Sequence, residues 1–225
     1  RPLQPVAAAF GQGCGVTNEG VIVRRAADRD ARDSGQFGMA LRWLGDDTEY
    51  GLYFMNYHSR TPTVGTLTAN TNLATIGNII NTANGIAPGS GAGLAQSVML
   101  GRGQYYLDYP EDIRLYGASF STTLPTGTAW TGEISYRPNA PVQLNTTDLT
   151  LALVNPIAGN TVSPIRSSFG ADNIGYRRKE ITQFQTTMTQ FFDQVLGAER
   201  LTVVGEAAIV RVGGLENKTK LRYGR

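Results

Sequence analysis

Residues 112–137 read DIRLYGASFSTTLPTGTAWTGEISYR, and this stretch decides how the rest of the chain is read. LPTG at 124–127 puts proline at the second turn position and glycine at the fourth, so it joins two strands. After it, Ala129, Thr131, Glu133 and Ser135 alternate with Trp130, Gly132, Ile134 and Tyr136, giving one polar and one largely apolar face. Pairing Leu124 with Gly127 sets Trp130, Ile134 and Tyr136 beside Ser121, Gly117 and Leu115. Arg114, Tyr116 and Thr122 then share the opposite face with Thr131, Glu133 and Ser135. A soluble sandwich gives the same alternation, so the decision passes to the other hairpins.

Two further segments repeat the plan. In 36–58, around Gly45-Asp46-Asp47-Thr48, Phe37, Met39, Leu41 and Trp43 fall on one face with Tyr50, Leu52 and Phe54. Gln36, Gly38, Ala40 and Arg42 fall on the other with Gly51, Tyr53, Met55 and Tyr57. In 181–212, around Gly197-Ala198-Glu199-Arg200, Phe184, Met188, Phe192 and Leu196 join Leu201, Val203, Ala207 and Ile209. Gln185, Thr187, Thr189 and Asp193 oppose them with Thr202 and Glu206. This register is the least clean, because Gln190 and Arg211 fall on the apolar side and Val204 and Val210 on the polar one. Ile181, Phe184, Met188, Phe191 and Val195 also fit a helix, but Thr182, Thr186, Thr187 and Thr189 favour a strand.

The tight turns therefore gather at one end and the long connections 1–35, 59–111 and 138–180 at the other. Outer-membrane barrels have this asymmetry, with strands of about 9–11 residues. Trp43, Tyr50 and Trp130 sit near the turn ends of apolar faces, where an aromatic girdle belongs. The expected fold is an all-β, antiparallel transmembrane β-barrel, treated as a single unit over 1–225, with short helices in the long loops. Leu73, Ile76, Ile79 and Ile80 mark one such helix and Thr147 to Val154 another. Six strands are fewer than the roughly eight of the smallest single-chain barrels, so the chain is expected to be part of a larger barrel, or several chains complete one.

Composition sets the outer limits. Twenty Lys and Arg against 18 Asp and Glu, a net charge of +2, give no reason to expect nucleic acid. No run approaches the roughly 20 apolar residues of a membrane helix, so any membrane role falls to strands. A single cysteine, Cys14, excludes an internal disulfide and a Cys-based zinc site.

The alternation assigns Phe37, Leu41, Trp43, Leu52, Trp130, Ile134 and Met188 to lipid, and Arg42, Tyr53, Tyr57, Arg114, Tyr116, Glu133, Gln185 and Glu206 to a lumen that forms the solute path. His58, the sole histidine, precedes Ser59 and is the one possible base of a Ser-His esterase, although a triad is defined by geometry rather than adjacency. Asp108, Glu111 and Asp112 have the oxygens for calcium, but three acids at a loop base more often solvate a turn or pair, here with Arg114. Arg24, Arg25, Arg29 and Arg32 interleave with Asp28, Asp30 and Asp33, a pattern read as a solvated loop whose charges pair with one another in preference to a phosphate-binding patch. Arg177, Arg178 and Lys179 stand where lipopolysaccharide phosphates would meet the loop end, or form a solvated rim. GQGCG at 11–15 and GSGAG at 89–93 do not sit between a strand and a helix and are not nucleotide loops. No catalytic, metal or cofactor site is assigned.

DRDARDSGQFGMALRW, DTEYGLYFMNYHSRTP, YYLDYPEDIRLYGASFSTTLPTGTAWTGEISYRPNAPVQ and GYRRKEITQFQTTMTQFFDQVLGAERLTVVGEAAIVRV resemble successive blocks of a proteobacterial family, domain of unknown function 1302. The resemblance runs from Asp28 to Arg225, and members are considerably longer. It implies an outer-membrane protein, often encoded beside RND-type exporters and periplasmic lipid-carrier-like proteins. The function it implies is a passage for lipids or other hydrophobic and amphipathic compounds, with lipids, lipopolysaccharide, a lipid carrier and an RND-type transporter as partners. A scaffold barrel with a blocked lumen is the alternative, and an outer-membrane esterase a third.

Overall fold

The computed structural model describes residues 15–17 and 20–224, so Cys14 and GQGCG up to that residue lie outside the description. In chain order the strands are β1 (Arg24–Arg25), β2 (Phe37–Leu44), β3 (Thr48–Tyr57), β4 (Thr63–Leu67), β5 (Gln104–Asp108), β6 (Ile113–Thr123), β7 (Ala129–Gln143), β8 (Asp172–Asn173), β9 (Tyr176–Asp193) and β10 (Arg200–Val212). The helices are α1 (Leu73–Ile86), α2 (Gly91–Arg102) and α3 (Thr146–Ala152). The chain is mostly β-structure in two sheets, and no helix among the described residues is long and apolar enough to cross a membrane.

The larger sheet runs β2-β3-β6-β7-β9-β10, antiparallel throughout, and is open: β2 and β10 are its edges. The first hairpin has the register counted from its turn, with Trp43 opposite Tyr50 and Leu41 opposite Leu52. The third keeps the expected faces but not the expected turn: the loop spans 194–199 rather than 197–200, so the pairing shifts by four residues, Phe192 lies opposite Leu201 and Phe184 opposite Ile209, and Leu196 falls in the turn instead of on the apolar face. Gln190 and Arg211 lie on the apolar side there, as the sequence suggested.

The middle hairpin corrects the sequence reading by one residue. Leu124 pairs with Thr128 rather than Gly127: its N–H donates to Thr128 O at 2.9 Å, while the Gly127 N–H donates to Leu124 O at 2.8 Å. Gly127, at φ +79°, takes the left-handed position of a three-residue loop and adds one residue to the turn. Tyr116 then faces Tyr136, Ala118 faces Ile134 and Thr122 faces Trp130. Because side chains alternate, a one-residue slip moves a whole strand's side chains across. Arg114 and Tyr116 therefore lie on the apolar face, opposite Asn56 and Phe54, and not with Arg42 and Glu133.

The connections at the other end are not irregular loops. Segment 59–111 contains β4, α1, α2 and β5, and these strands join β1 and β8 in a second sheet ordered β1-β5-β4-β8. Asn72 caps α1 by accepting the Thr75 N–H at 2.9 Å, and the helix buries Ile76, Ile79 and Ala83 against Leu94, Ala95, Val98 and Met99 of α2. Ile80, expected on the same stripe, packs partly buried beside them. Asn145 caps α3 in the same way, and Leu149 and Ala152 pack with Leu144 and Ile165. Both core clusters lie in this loop body; the large apolar side chains near the turn end of the six-stranded sheet belong to neither.

β7 and β9 connect sheet to loop body. Their pairing breaks between Arg137 and Ala140, then resumes to Gln143 opposite Tyr176. Pro138 has no N–H to give a ladder, so a bulge is where a strand tolerates it. Asn139 in the bulge accepts the Arg114 N–H at 2.9 Å and donates to Asp112 O at 2.7 Å. Gln143 ties β4 in by accepting the Val64 N–H at 2.7 Å and donating to Gly175 O at 2.8 Å.

Candidate functional site: two faces of one sheet

The register places Phe37, Leu41 and Trp43 of β2, Leu52 of β3, Trp130 and Ile134 of β7 and Met188 of β9 on one face, so all seven residues assigned to lipid lie together. Phe37, Leu41, Ile134 and Met188 are 61, 59, 46 and 45% exposed, which a water-soluble core does not permit. Aromatic contacts knit the face: Trp43 stacks on Tyr50 at 5.3 Å, Phe54 meets Tyr116 at 5.1 Å, and Phe120 meets Trp130 edge-on at 4.8 Å. Trp130 also donates to Thr186 Oγ1 at 2.8 Å, so its one polar atom is satisfied among apolar neighbours. Monomeric soluble proteins rarely leave so continuous an apolar surface to water.

Arg42, Tyr53, Tyr57, Glu133, Gln185 and Glu206 occupy the other face, six of the eight residues assigned to a lumen. Gln185 donates to Glu206 at 2.7 Å, Tyr53 and Ser119 share a hydrogen bond of 3.3 Å, and Arg42 lies 3.9 Å from Glu49. Clefts open on this face. One of about 320 Å³ runs past Tyr53, Ser119, Glu133 and Gln183, and one of about 440 Å³ at the loop end is bounded by Tyr57, Ser59, Arg60, Ile113 and Ile181. Arg137 borders both, and its Nε is buried without a hydrogen-bond partner. An unmet buried donor costs about 1–3 kcal/mol.

The family model for the protein of unknown function DUF1302 matches residues 4–223. The chain belongs to this family. No curated protein and no solved structure matches it.

In this DUF1302 chain the seam between sheet and loop body uses the residues that the sequence offered for catalysis and metal binding. The buried His58 ring bonds Ser34 O through Nε2 at 2.8 Å, and its Nδ1 accepts the Asp112 N–H at 3.1 Å. That fixes the neutral Nε2–H tautomer and leaves no lone pair for Ser59, whose hydroxyl donates to Thr61 O at 2.7 Å. Glu111 and Asp112 both take Arg32, at 2.7 Å each, rather than Arg114. The Asn56 amide first, then Arg32, holds the Asp112 carboxyl below its ordinary range. Among the described residues no three His, Cys, Asp or Glu converge as a metal site.

The basic N-terminal segment departs from the self-paired loop read in the sequence. Arg25 and Asp28 pair within it, while Arg29 reaches Asp172 at 2.7 Å and Arg32 reaches the seam. Arg29 also lies 3.9 Å over the Tyr106 ring, whose hydroxyl donates to Asp172 at 2.6 Å; burial, then that bond, pushes the phenol up. Of the basic rim, Arg178 bonds Asn139 O and Glu111 O and Lys179 bonds Glu216, so both are held by the protein's own oxygens. Ser119 and Arg137 were missed on the polar face, although Arg137 shares the parity of Glu133 and could have been found by counting.

Proposed function

We propose that this chain is a portion of an outer-membrane β-barrel whose apolar face meets hydrocarbon and whose polar face lines a passage for lipids or other hydrophobic and amphipathic compounds. The observation that carries the reading is the largely apolar face over six strands, its large side chains uncovered by any described residue, with tight turns at one pole and a folded loop body at the other. Lipid, lipopolysaccharide, a periplasmic lipid carrier and an RND-type transporter are the proposed partners. The protein's part is selection by shape and charge, with no covalent step.

A scaffold barrel with a blocked lumen is the second reading, favoured by the loop body having its own core rather than being open strand connections. Reconstitution separates the two. The full-length protein in vesicles should resist carbonate extraction and admit a fluorescent amphiphile that empty vesicles exclude. Insertion without uptake would give the scaffold reading, and failure to insert would end both.

A further inference from the structure

We propose that the 440 Å³ cleft at the loop end of the polar face binds the anionic head of an amphiphile, with a carboxylate as the simplest case. Two cations border this cleft, Arg60 from the segment after β3 and Arg137 from β7. Among the described residues neither makes an ion pair or a side-chain hydrogen bond, and the Arg137 Nε is buried without an acceptor. Among the described residues no aspartate or glutamate borders the cleft. Glu133, which shares the neighbouring cleft with Arg137, makes no ion pair with it.

Three other arginines at this pole are met by the protein's own oxygens. Arg29, Arg32 and Arg178 all reach carboxylate or carbonyl oxygens within about 3 Å. A guanidinium with a buried, unmet donor beside open volume is complementary to an anion that supplies the missing oxygens, and its planar fork suits a carboxylate or a phosphate. Tyr57 adds a hydroxyl, while Ile113 and Ile181 give the same cleft apolar walls. Charge beside apolar wall is the pattern for an amphiphile rather than a free inorganic ion.

This assignment names the solute class of the passage proposed above and rests on that reading. The test uses the full-length protein in detergent and compares binding of dodecanoate, dodecanol and inorganic phosphate. Dodecanoate should bind about tenfold or more tightly than the other two, and Arg137→Gln or Arg60→Gln should each lower its affinity several-fold, with Arg137→Lys retaining most of it. Arg60 is exposed, so its variant reports on the site even where Arg137→Gln does not fold. Equal binding of dodecanol, equal binding of phosphate, or wild-type dodecanoate affinity in folded Arg60→Gln would overturn the assignment. Carbonate extraction of the same preparations keeps the two claims apart: a protein that inserts but shows no carboxylate preference loses only this assignment.

Discussion

His58 and Asp112 are joined by a 3.1 Å hydrogen bond from the Asp112 backbone N–H to the imidazole Nδ1, across the seam between sheet and loop body. Asp112 sits at φ +55°, a left-handed conformation unfavourable for a residue with a side chain, and the bond helps to hold it there. His58→Ala strands the Asp112 donor and frees Ser34 O, so it should lower stability by about 1–3 kcal/mol in thermal unfolding. His58→Gln, which can restore one bond, should lose less. Both variants should match the wild type in hydrolysis of a nitrophenyl ester, and a rate that disappears with His58 would return the ring to catalysis.

The Asp148 carboxylate is fully buried and takes both Nε and Nη2 of Arg222, with Nε at 2.8 Å. Arg222→Ala leaves that carboxylate without its partner and should lower the denaturant midpoint. Arg222→Lys should fall between, because one ammonium cannot reproduce two parallel bonds. A midpoint unchanged by Arg222→Ala would mean that the C-terminal segment does not dock as described.

Lys179, and after it the Tyr223 hydroxyl, pulls the Glu216 carboxyl down to about 2. A depressed carboxylate contributes stability that is fully present above its unfolded value near 4.5 and is lost as pH falls through about 2. Acidification across that window should lower the hydrogen-exchange protection factors, taken relative to the intrinsic rate at each pH, in the segment 213–223. Glu216→Gln should exchange faster at neutral pH and show little of this acid dependence. Equal acid responses in variant and wild type would remove the pair from the account.

Two glycines of similar geometry should differ in tolerance. A Cβ on Gly65 would lie 2.3 Å from the Tyr106 ring, and one on Gly132 would lie 2.4 Å from the Phe120 ring. Tyr106 is buried and tied to Asp172, whereas Phe120 lies on a face open on its outer side and can swing away. Gly65→Ala should therefore cost about 1–3 kcal/mol and Gly132→Ala less than about 1 kcal/mol. The difference in unfolding midpoints checks this, and equal losses would contradict it.

What the sequence disclosed follows from which interactions are local. The first hairpin was legible because Gly45-Asp46-Asp47-Thr48 closes it without an extra residue, so counting from the turn gave Trp43 opposite Tyr50. The middle hairpin was not, because the left-handed Gly127 adds a residue that the letters LPTG do not announce. α1 showed its stripe, while α2 was hidden: Gly91, Gly93 and Gly101 argue against a helix, and packing against α1 overrides that preference. β4, β5 and β8 escaped notice because strands of five residues or fewer carry too little alternation, and their partners lie far away in sequence. The roles of Arg32 and His58 depend on the same distant pairings.

Trp43 and Trp130, the chain's two tryptophans, both lie on the apolar face near its turn end, so intrinsic fluorescence reports directly on what that face touches. The full-length protein reconstituted in vesicles of brominated phosphatidylcholine should lose much of its tryptophan emission, with little quenching by aqueous acrylamide. Emission untouched by the brominated chains but quenched by acrylamide would place the face in water or against protein, and would contradict the membrane reading.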